Sequence, residues 1–441
     1  MNAIDAMDRR AFLRWLAWIA LVGLILRLVA VAFASRQLAF GDGVWYNAEA
    51  QIISGGHGYL APGQYIFGGR HLATAEHPPL FPFLLAVVAW FGGESVLANQ
   101  ITLALIGAAA IVVIGFLGRA VAGPRVGVIA AALAALSPTI WQYDVRVLSE
   151  GLLVLTFGLF LLVVYQFWNQ PRPVHVFLLG LTLAAATYTR AEMIFLGVVV
   201  LVPVVIWNPR LAGRSSRLRI IATSAAVTLL LLAPWVIRNV TTFDETVLIS
   251  NNQDSVIAGA NCDVAYYGHG IGSWSAACNT GGLTHLHEQS RVFSETRRRG
   301  IAYARDHLDR LPVVAAVRVG RTWEVFRPFE DLGAEGRNHK IWVASTLTFW
   351  VLAGLGLFGA LQLRKSRQLV WPLAVMAPFV TVLAIGTYGL VRLRMPLDIA
   401  LLVLAAVPIE RFLARSRRAP TDTAAAMSTD TSAGIRNRVL P

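Results

Sequence analysis

The chain has 441 residues, 56% of them hydrophobic and only 14% charged, with a formal net charge of +13. Soluble domains carry nearer a quarter charged residues, so the composition excludes a soluble globular protein and predicts an all-α polytopic membrane protein. The positive excess is not read as a nucleic-acid surface. The arginines sit in short connections between apolar runs, where they set orientation and meet the headgroups of membrane lipids.

The first apolar run, near 13–34, is followed by no small-residue cleavage motif and is expected to be a retained span. A polar segment, roughly 35–96, comes next and contains Gly41-Asp42-Gly43 and Glu76-His77-Pro78-Pro79. Within it, Pro78 to Phe91 is too short to cross about 30 Å of hydrocarbon and is expected to be an interfacial or re-entrant helix. Further spans are expected near 97–118, 125–141, 146–168, 174–189, 191–207, 218–237, 341–362, 369–388 and 395–412, about ten in all.

With the N-terminus inside, every inside connection is basic, from Arg9 and Arg10 through Arg210, Arg214, Arg217 and Arg219 to Arg415, Arg417 and Arg418. Both termini are therefore placed in the cytoplasm. Residues 1–415 are expected to form one transmembrane domain, with extracytoplasmic segments 35–96 and 238–340 that carry interfacial helices. The Thr- and Ala-rich residues 416–441 read as a disordered tail.

The second polar segment holds the only two cysteines, Cys262 and Cys278. An extracytoplasmic compartment permits a disulfide between them; two free thiols are the alternative. From about Glu288 to Phe329 the pattern is helical and amphipathic, with Pro312 near the start of a second helix, and is expected to lie along the membrane. Arg318 and Arg321, three apart, share a face there.

Asp42 lies between glycines that let the backbone approach another molecule, and a carboxylate there is placed to take a proton from a hydroxyl. The alternative is a turn aspartate or a helix cap. Asp144 and Glu150 are the partner candidates. An ionisable group at membrane depth is a site candidate by default, although Arg146, four residues before Glu150, offers a local neutralising partner. His77, fixed by the prolines after it, is placed to meet a phosphate with a charge that depends on pH. Arg190, Arg238, Arg392 and Arg394 all fall on the outer side, against the positive-inside trend, and guanidinium forks suit phosphate oxygens. Alternate residues diverge on a helix, so one of Arg392 and Arg394 is expected to point inward. There is no Walker loop, dinucleotide fingerprint or His-Glu-x-x-His pair. His285 and His287 are weak as a metal pair. No cofactor is required by these motifs, and a divalent metal is not indicated.

The order of motifs resembles a family. An N-terminal span, Asp42 in the first loop, Glu76-His77-Pro78-Pro79-Leu80-Phe81-Pro82, Tyr143-Asp144, Ser149-Glu150 and Thr189-Arg190-Ala191-Glu192 are similar to the GT-C superfamily of integral-membrane glycosyltransferases. The resemblance is to the bacterial family 39-like branch, with its protein O-mannosyltransferases, aminoarabinose transferases and galacturonosyltransferase-like proteins. Pro234-Trp235-x-x-Arg238-Asn239 and Arg392-x-Arg394-x-Pro396 resemble later signatures of that branch. The resemblance implies sugar transfer, with inversion, from a polyprenyl-phosphate carrier to a lipid, glycan or protein acceptor outside the plasma membrane. Asp42 then maps to the catalytic base and Asp144 to a second catalytic acid. His77, Arg392 and Arg394 map to the carrier phosphate, with Glu150, Arg190 and Arg238 in support. Two departures stand out. Protein O-mannosyltransferases usually show Asp-Glu where this chain has Asp42-Gly43, and aminoarabinose transferases have Lys where it has His77. A transporter or flippase of lipid-linked sugars, and a non-catalytic envelope assembly subunit, are the rival readings. The missing internal repeat weighs against the first.

Overall fold

The computed structural model describes residues 7–35, 38, 41–279, 288–330 and 339–433, with side chains as far as 416. His285 and His287 lie outside the described residues. Among the described residues no strand forms, and one isolated antiparallel bridge joins Leu60 to Ala73. Helices cover every expected span. Five are long and apolar enough to cross a membrane by length and composition: Arg9–Phe33, Val96–Ala122, Ser149–Asn169, Arg214–Thr242 and His339–Lys365. A sixth arises if Pro124–Leu136 and Pro138–Arg146, bent by 54° at their junction, count as one span. Pro138 accounts for that break, since it cannot donate to the preceding turn. The remaining apolar helices are shorter, so length alone does not establish a count of about ten. The Leu80–Trp90 helix, 11 residues long, extends about 16 Å and is half a bilayer at most.

Ser149–Asn169 is the central helix. Its apolar window is 72% buried, against 22% for Arg9–Phe33 and for Arg214–Thr242, which therefore form the lipid-facing rim. Phe157, Phe160, Leu161 and Val164 on the central helix join Ile111, Ile114, Ala134 and Leu402 in one core cluster. In lipid there is no hydrophobic drive between helices, so close approach has to come from small residues. At Gly127 an added Cβ would stand 2.4 Å from the carbonyl oxygen of Gly115, so only glycine lets those two helices touch. The last helix runs from Met395 to Ala433 and continues past Arg415, where composition sets the start of the tail.

Both polar segments are folded onto one end of the bundle. In the first, Asp42–Ser54 packs on Leu80–Trp90 through Tyr46, Ala50, Phe81 and Leu85. In the second, Gln289–Asp306 and Leu311–Thr322 form the expected helix pair, the first capped by Glu288 and the second entered at Pro312. Arg318 and Arg321 do share a face, and it is the buried one: Arg318 donates to the carbonyls of Ala260 and Ile385, Arg321 to those of Ile271 and His269. Cys262 and Cys278 are disulfide-bonded. The loop they close reaches the chain just before Arg392: the Gly389 amide donates to the Gly272 carbonyl at 2.7 Å, and Tyr388 packs with Ala260.

Two buried ion clusters pin the frame. Arg27, in the last third of the first span, donates to Asp144 at 2.9 Å, and each is 1% exposed. Its other N–H groups meet the carbonyls of Gly23, Ala134 and Ala135. Arg394 binds Glu324 at 2.9 Å and Asp398 at 3.0 Å, with its guanidinium over the Phe349 ring. Removing one partner of such a pair leaves a bare charge in a dry environment, which costs about 3–5 kcal/mol, whereas replacing both by apolar residues is often neutral. Asp144→Asn is therefore expected to lower the melting temperature in detergent sharply, and Arg27→Met with Asp144→Leu to recover most of it. Equal losses in the single and double variants would show that charge pairing is not what holds the first span.

Candidate active site

Asp42 is the first residue of its helix and follows Gly41, whose φ of +131° turns the chain into it. A helix N-terminus favours a carboxylate. Gly43 is fixed sterically: a Cβ there would stand 2.8 Å from the Arg146 carbonyl oxygen. This accounts for the departure from Asp-Glu, since no longer side chain fits without moving that backbone.

Oδ2 of Asp42 accepts from Nη1 of Arg392, a contact between residues 350 positions apart in sequence. Arg392 lies on the short turn Val391–Arg394 between two apolar helices. Its Nη2 also reaches the Tyr388 hydroxyl at 3.4 Å, and its Nε lies 3.8 Å from Oε1 of Glu150. Glu150, at the start of the central helix, accepts in turn from Nη1 of Arg190, and Nε of Arg190 donates to Glu192 at 2.6 Å. The result is an alternating chain of charge, Glu192, Arg190, Glu150, Arg392, Asp42, drawn from four separate stretches of sequence. Burial alone would push the Asp42 carboxyl up, but Arg392, joined by His77 and Arg190, outweighs it and holds Asp42 below the usual carboxylate range.

On the other side of Asp42 stands His77, with Nε2 3.9 Å from Oδ1. Its Nδ1 is 3.2 Å from the Tyr46 hydroxyl, which donates to Ser149. Trp45 and Tyr59 enclose the ring: the Trp45 centroid is 4.6 Å away, and Tyr59 bonds the His77 carbonyl. Burial, with Arg392 and Arg190 beside it, pushes the imidazole down to about 4 against the pull of Asp42. The ring is therefore neutral near pH 7, and the expectation of a protonated imidazole meeting a phosphate is replaced by a neutral hydrogen-bonding group.

Two further carboxyls line this side. Burial, then the Asp42 charge, raises Glu76 to about 7, opposed by a hydrogen bond from Trp45. Burial, then Glu76, raises Glu49 to about 9 against Arg238. Both are held toward the acid form, whereas Asp42 beside them is held ionised and is accessible, at 28% side-chain exposure.

Three sequence candidates fall elsewhere. Asp144 is sealed against Arg27, so the structure does not bring it to Asp42. Of the two arginines on the Val391–Arg394 turn, Arg392 faces the network and Arg394 is locked into Glu324 and Asp398. Arg238 donates to the carbonyls of Tyr59 and Thr74, which flank the Leu60–Ala73 bridge, and stacks on Trp235; it ties the first segment in place. Glu150 has Arg190 and Arg392, both distant in sequence, as charge partners. Sequence reading passed over Arg27, Glu324 and Asp398. Arg27 and Asp398 were signalled as ionisable residues inside apolar runs. Among the described residues no group of three or more His, Cys, Asp or Glu side chains is placed to hold a metal ion.

Residues 76–237 match the family profile described as dolichyl-phosphate-mannose-protein mannosyltransferase. No curated protein matches significantly. Among solved structures, the chain is similar to the Archaeoglobus fulgidus oligosaccharyltransferase AglB in complex with an inhibitory peptide and a dolichol-phosphate. The identity is 15%, over 97% of this chain and 52% of that one, with a TM-score of 0.56. The same enzyme tethered to an acceptor peptide gives 14%, 92%, 50% and 0.56. This chain thus spans about half the length of AglB. ArnT from Cupriavidus metallidurans bound to undecaprenyl phosphate is 17% identical over 91% of this chain and 78% of that one, at a TM-score of 0.45, and no inference rests on that likeness. The match over residues 76–237 and the likeness in fold to AglB agree with the motif resemblance to GT-C membrane proteins.

Proposed function

We propose that this chain is a glycosyltransferase that moves a sugar from a polyprenyl-phosphate carrier to a hydroxyl of an envelope glycolipid or glycan. In this reading it sits in the plasma membrane with its termini in the cytoplasm and its site outside. The observation that carries the reading is the contact of Asp42 with Arg392, continued through Glu150 to Arg190. It sets a carboxylate and two guanidinium groups side by side at the end of the bundle where both polar segments gather. A headgroup phosphate on an isoprenoid tail reaches such a place from the bilayer, its chain held between helices at about 0.8 kcal/mol per buried CH₂. The dolichol-phosphate in the AglB complex belongs to the same chemical class.

Asp42 takes the proton of the acceptor hydroxyl as its oxygen forms the new bond to the anomeric carbon. The bond from that carbon to the phosphate oxygen breaks, and its electron pair leaves on the phosphate. Arg392, with Arg190 behind it, stabilises the departing charge, the term that dominates such displacements. In-line attack from the side opposite the phosphate inverts the anomeric centre. The carrier phosphate is thus assigned to Arg392 and Arg190 and not to Arg394, and neutral His77 lines the acceptor side.

The test is a mass-spectrometric comparison of envelope glycolipids from cells lacking the gene and complemented with variants. Asp42→Asn is expected to fold and to lose product by about 10² to 10⁴ in rate, while a folded Arg27→Met with Asp144→Leu variant keeps making it. Wild-type product from Asp42→Asn contradicts the reading.

Glu76 gives a pH prediction. Its folded value of about 7 lies above the ordinary 4.5, so between those values the folded protein holds a proton that the unfolded chain has released. Stability from this group is present below pH 4.5 and is lost as pH rises through 7. The melting temperature of Glu76→Gln in detergent should therefore fall less between pH 5 and pH 8 than that of the wild type. Parallel curves would place Glu76 in an ordinary, solvated state.

A further inference from the structure

Arg392 has two claimants. Its Nη1 is on Asp42, and in the reading above, on which this inference rests, the same guanidinium receives the carrier phosphate. Its contact with the Tyr388 hydroxyl, at 3.4 Å, is at the outer limit of a hydrogen bond, and that with Glu150, at 3.8 Å, is an ion contact without one. Glu150 is itself committed to Arg190. Asp42, bonded directly to Nη1, is a group that orients Arg392.

Accessibility sets which partner can change. Glu150 is 1% and the His77 side chain 6% exposed, whereas Asp42 is 28% exposed and Arg392 15%. The ion pair lies at one open end of the network, as Arg190 with Glu192 lies at the other, and an incoming anion can reach its guanidinium. A planar fork suits one bidentate anion at a time, so a phosphate that takes it displaces the carboxylate. A carboxylate released from its cation is the stronger base.

We propose that Arg392 is a donor-operated mask on the catalytic base. The carrier phosphate draws Arg392 off Asp42, and only then is the carboxylate free to accept a hydroxyl proton. The donor binds first and the acceptor second, and water is not activated while the donor is absent. The exchange also conserves charge at Arg392, which trades one anion for another as Glu150 and Arg190 stay in place.

An unusual consequence follows for binding: deleting the base strengthens affinity for the lipid phosphate, because its competitor for Arg392 is gone. The experiment measures undecaprenyl phosphate binding to the full chain in phosphatidylcholine nanodiscs by native mass spectrometry, with undecaprenol as the uncharged control. Asp42→Asn is expected to bind the phosphate about tenfold more tightly than wild type and Arg392→Ala about tenfold more weakly. Undecaprenol should bind all of them alike. Asp42→Ser, which carries no amide to engage Arg392, should tighten in the same way and guards against a folding defect peculiar to one variant. If Arg392→Ala weakens the phosphate but both Asp42 variants bind as the wild type or worse, the mask is overturned and the phosphate assignment survives. If Arg392→Ala binds undecaprenyl phosphate normally, the phosphate assignment falls and the mask falls with it.

Discussion

The pairing of Asp42 with Arg392 is the constraint around which this end of the molecule is arranged. Each charge stabilises the other at a bilayer edge, and the two come from segments 350 positions apart in sequence. To bring them together, the first polar segment folds its two short helices against each other. The second, closed by the Cys262–Cys278 disulfide and clamped by Arg318, presses on the chain at Tyr388 and Gly389. Glu150 and Arg190 extend the pattern into the bundle, so that helix ends far apart in sequence are held in register by alternating charge.

The other buried ion clusters make an instructive contrast. Arg27 with Asp144, and Arg394 with Glu324 and Asp398, are as well bonded as the site and fully enclosed. They join the first span to the bent helix pair and the last span to the end of the amphipathic pair. Chemistry alone does not separate them from the network at Asp42, since all contain arginine and carboxylate at membrane depth. Exposure does: the network of Asp42 opens at its ends to an incoming molecule, at Asp42 and at Glu192, and the other two clusters do not. The same test sorts the carboxyls of the first segment, where buried Glu49 is held in its acid form and Asp42, set against a guanidinium, stays charged.

Much of the architecture was legible in the sequence, because apolar runs in lipid must be helical and their lengths are read directly. The short Pro78 to Phe91 stretch and the helix pair opened at Pro312 were both visible in this way. What the sequence could not supply was pairing. Asp144 looks like a site residue until Arg27, 117 positions away, is found against it. The i, i+2 spacing of Arg392 and Arg394 says that one of them faces inward, and only packing says which. The ionisation of His77 depends on Trp45, Tyr46 and Tyr59 closing around it, and the need for Gly43 on a carbonyl from a different helix. Each miss concerns a three-dimensional partner, which local pattern does not encode.

The most direct measurement is a cryo-electron microscopy structure of the protein with undecaprenyl phosphate bound in nanodiscs. The account predicts the phosphate within hydrogen-bond distance of the Arg392 guanidinium, Arg190 behind it, and the Asp42 to Arg392 contact open. A phosphate resting on Arg238, or elsewhere in the bundle, with that ion pair still closed would contradict it.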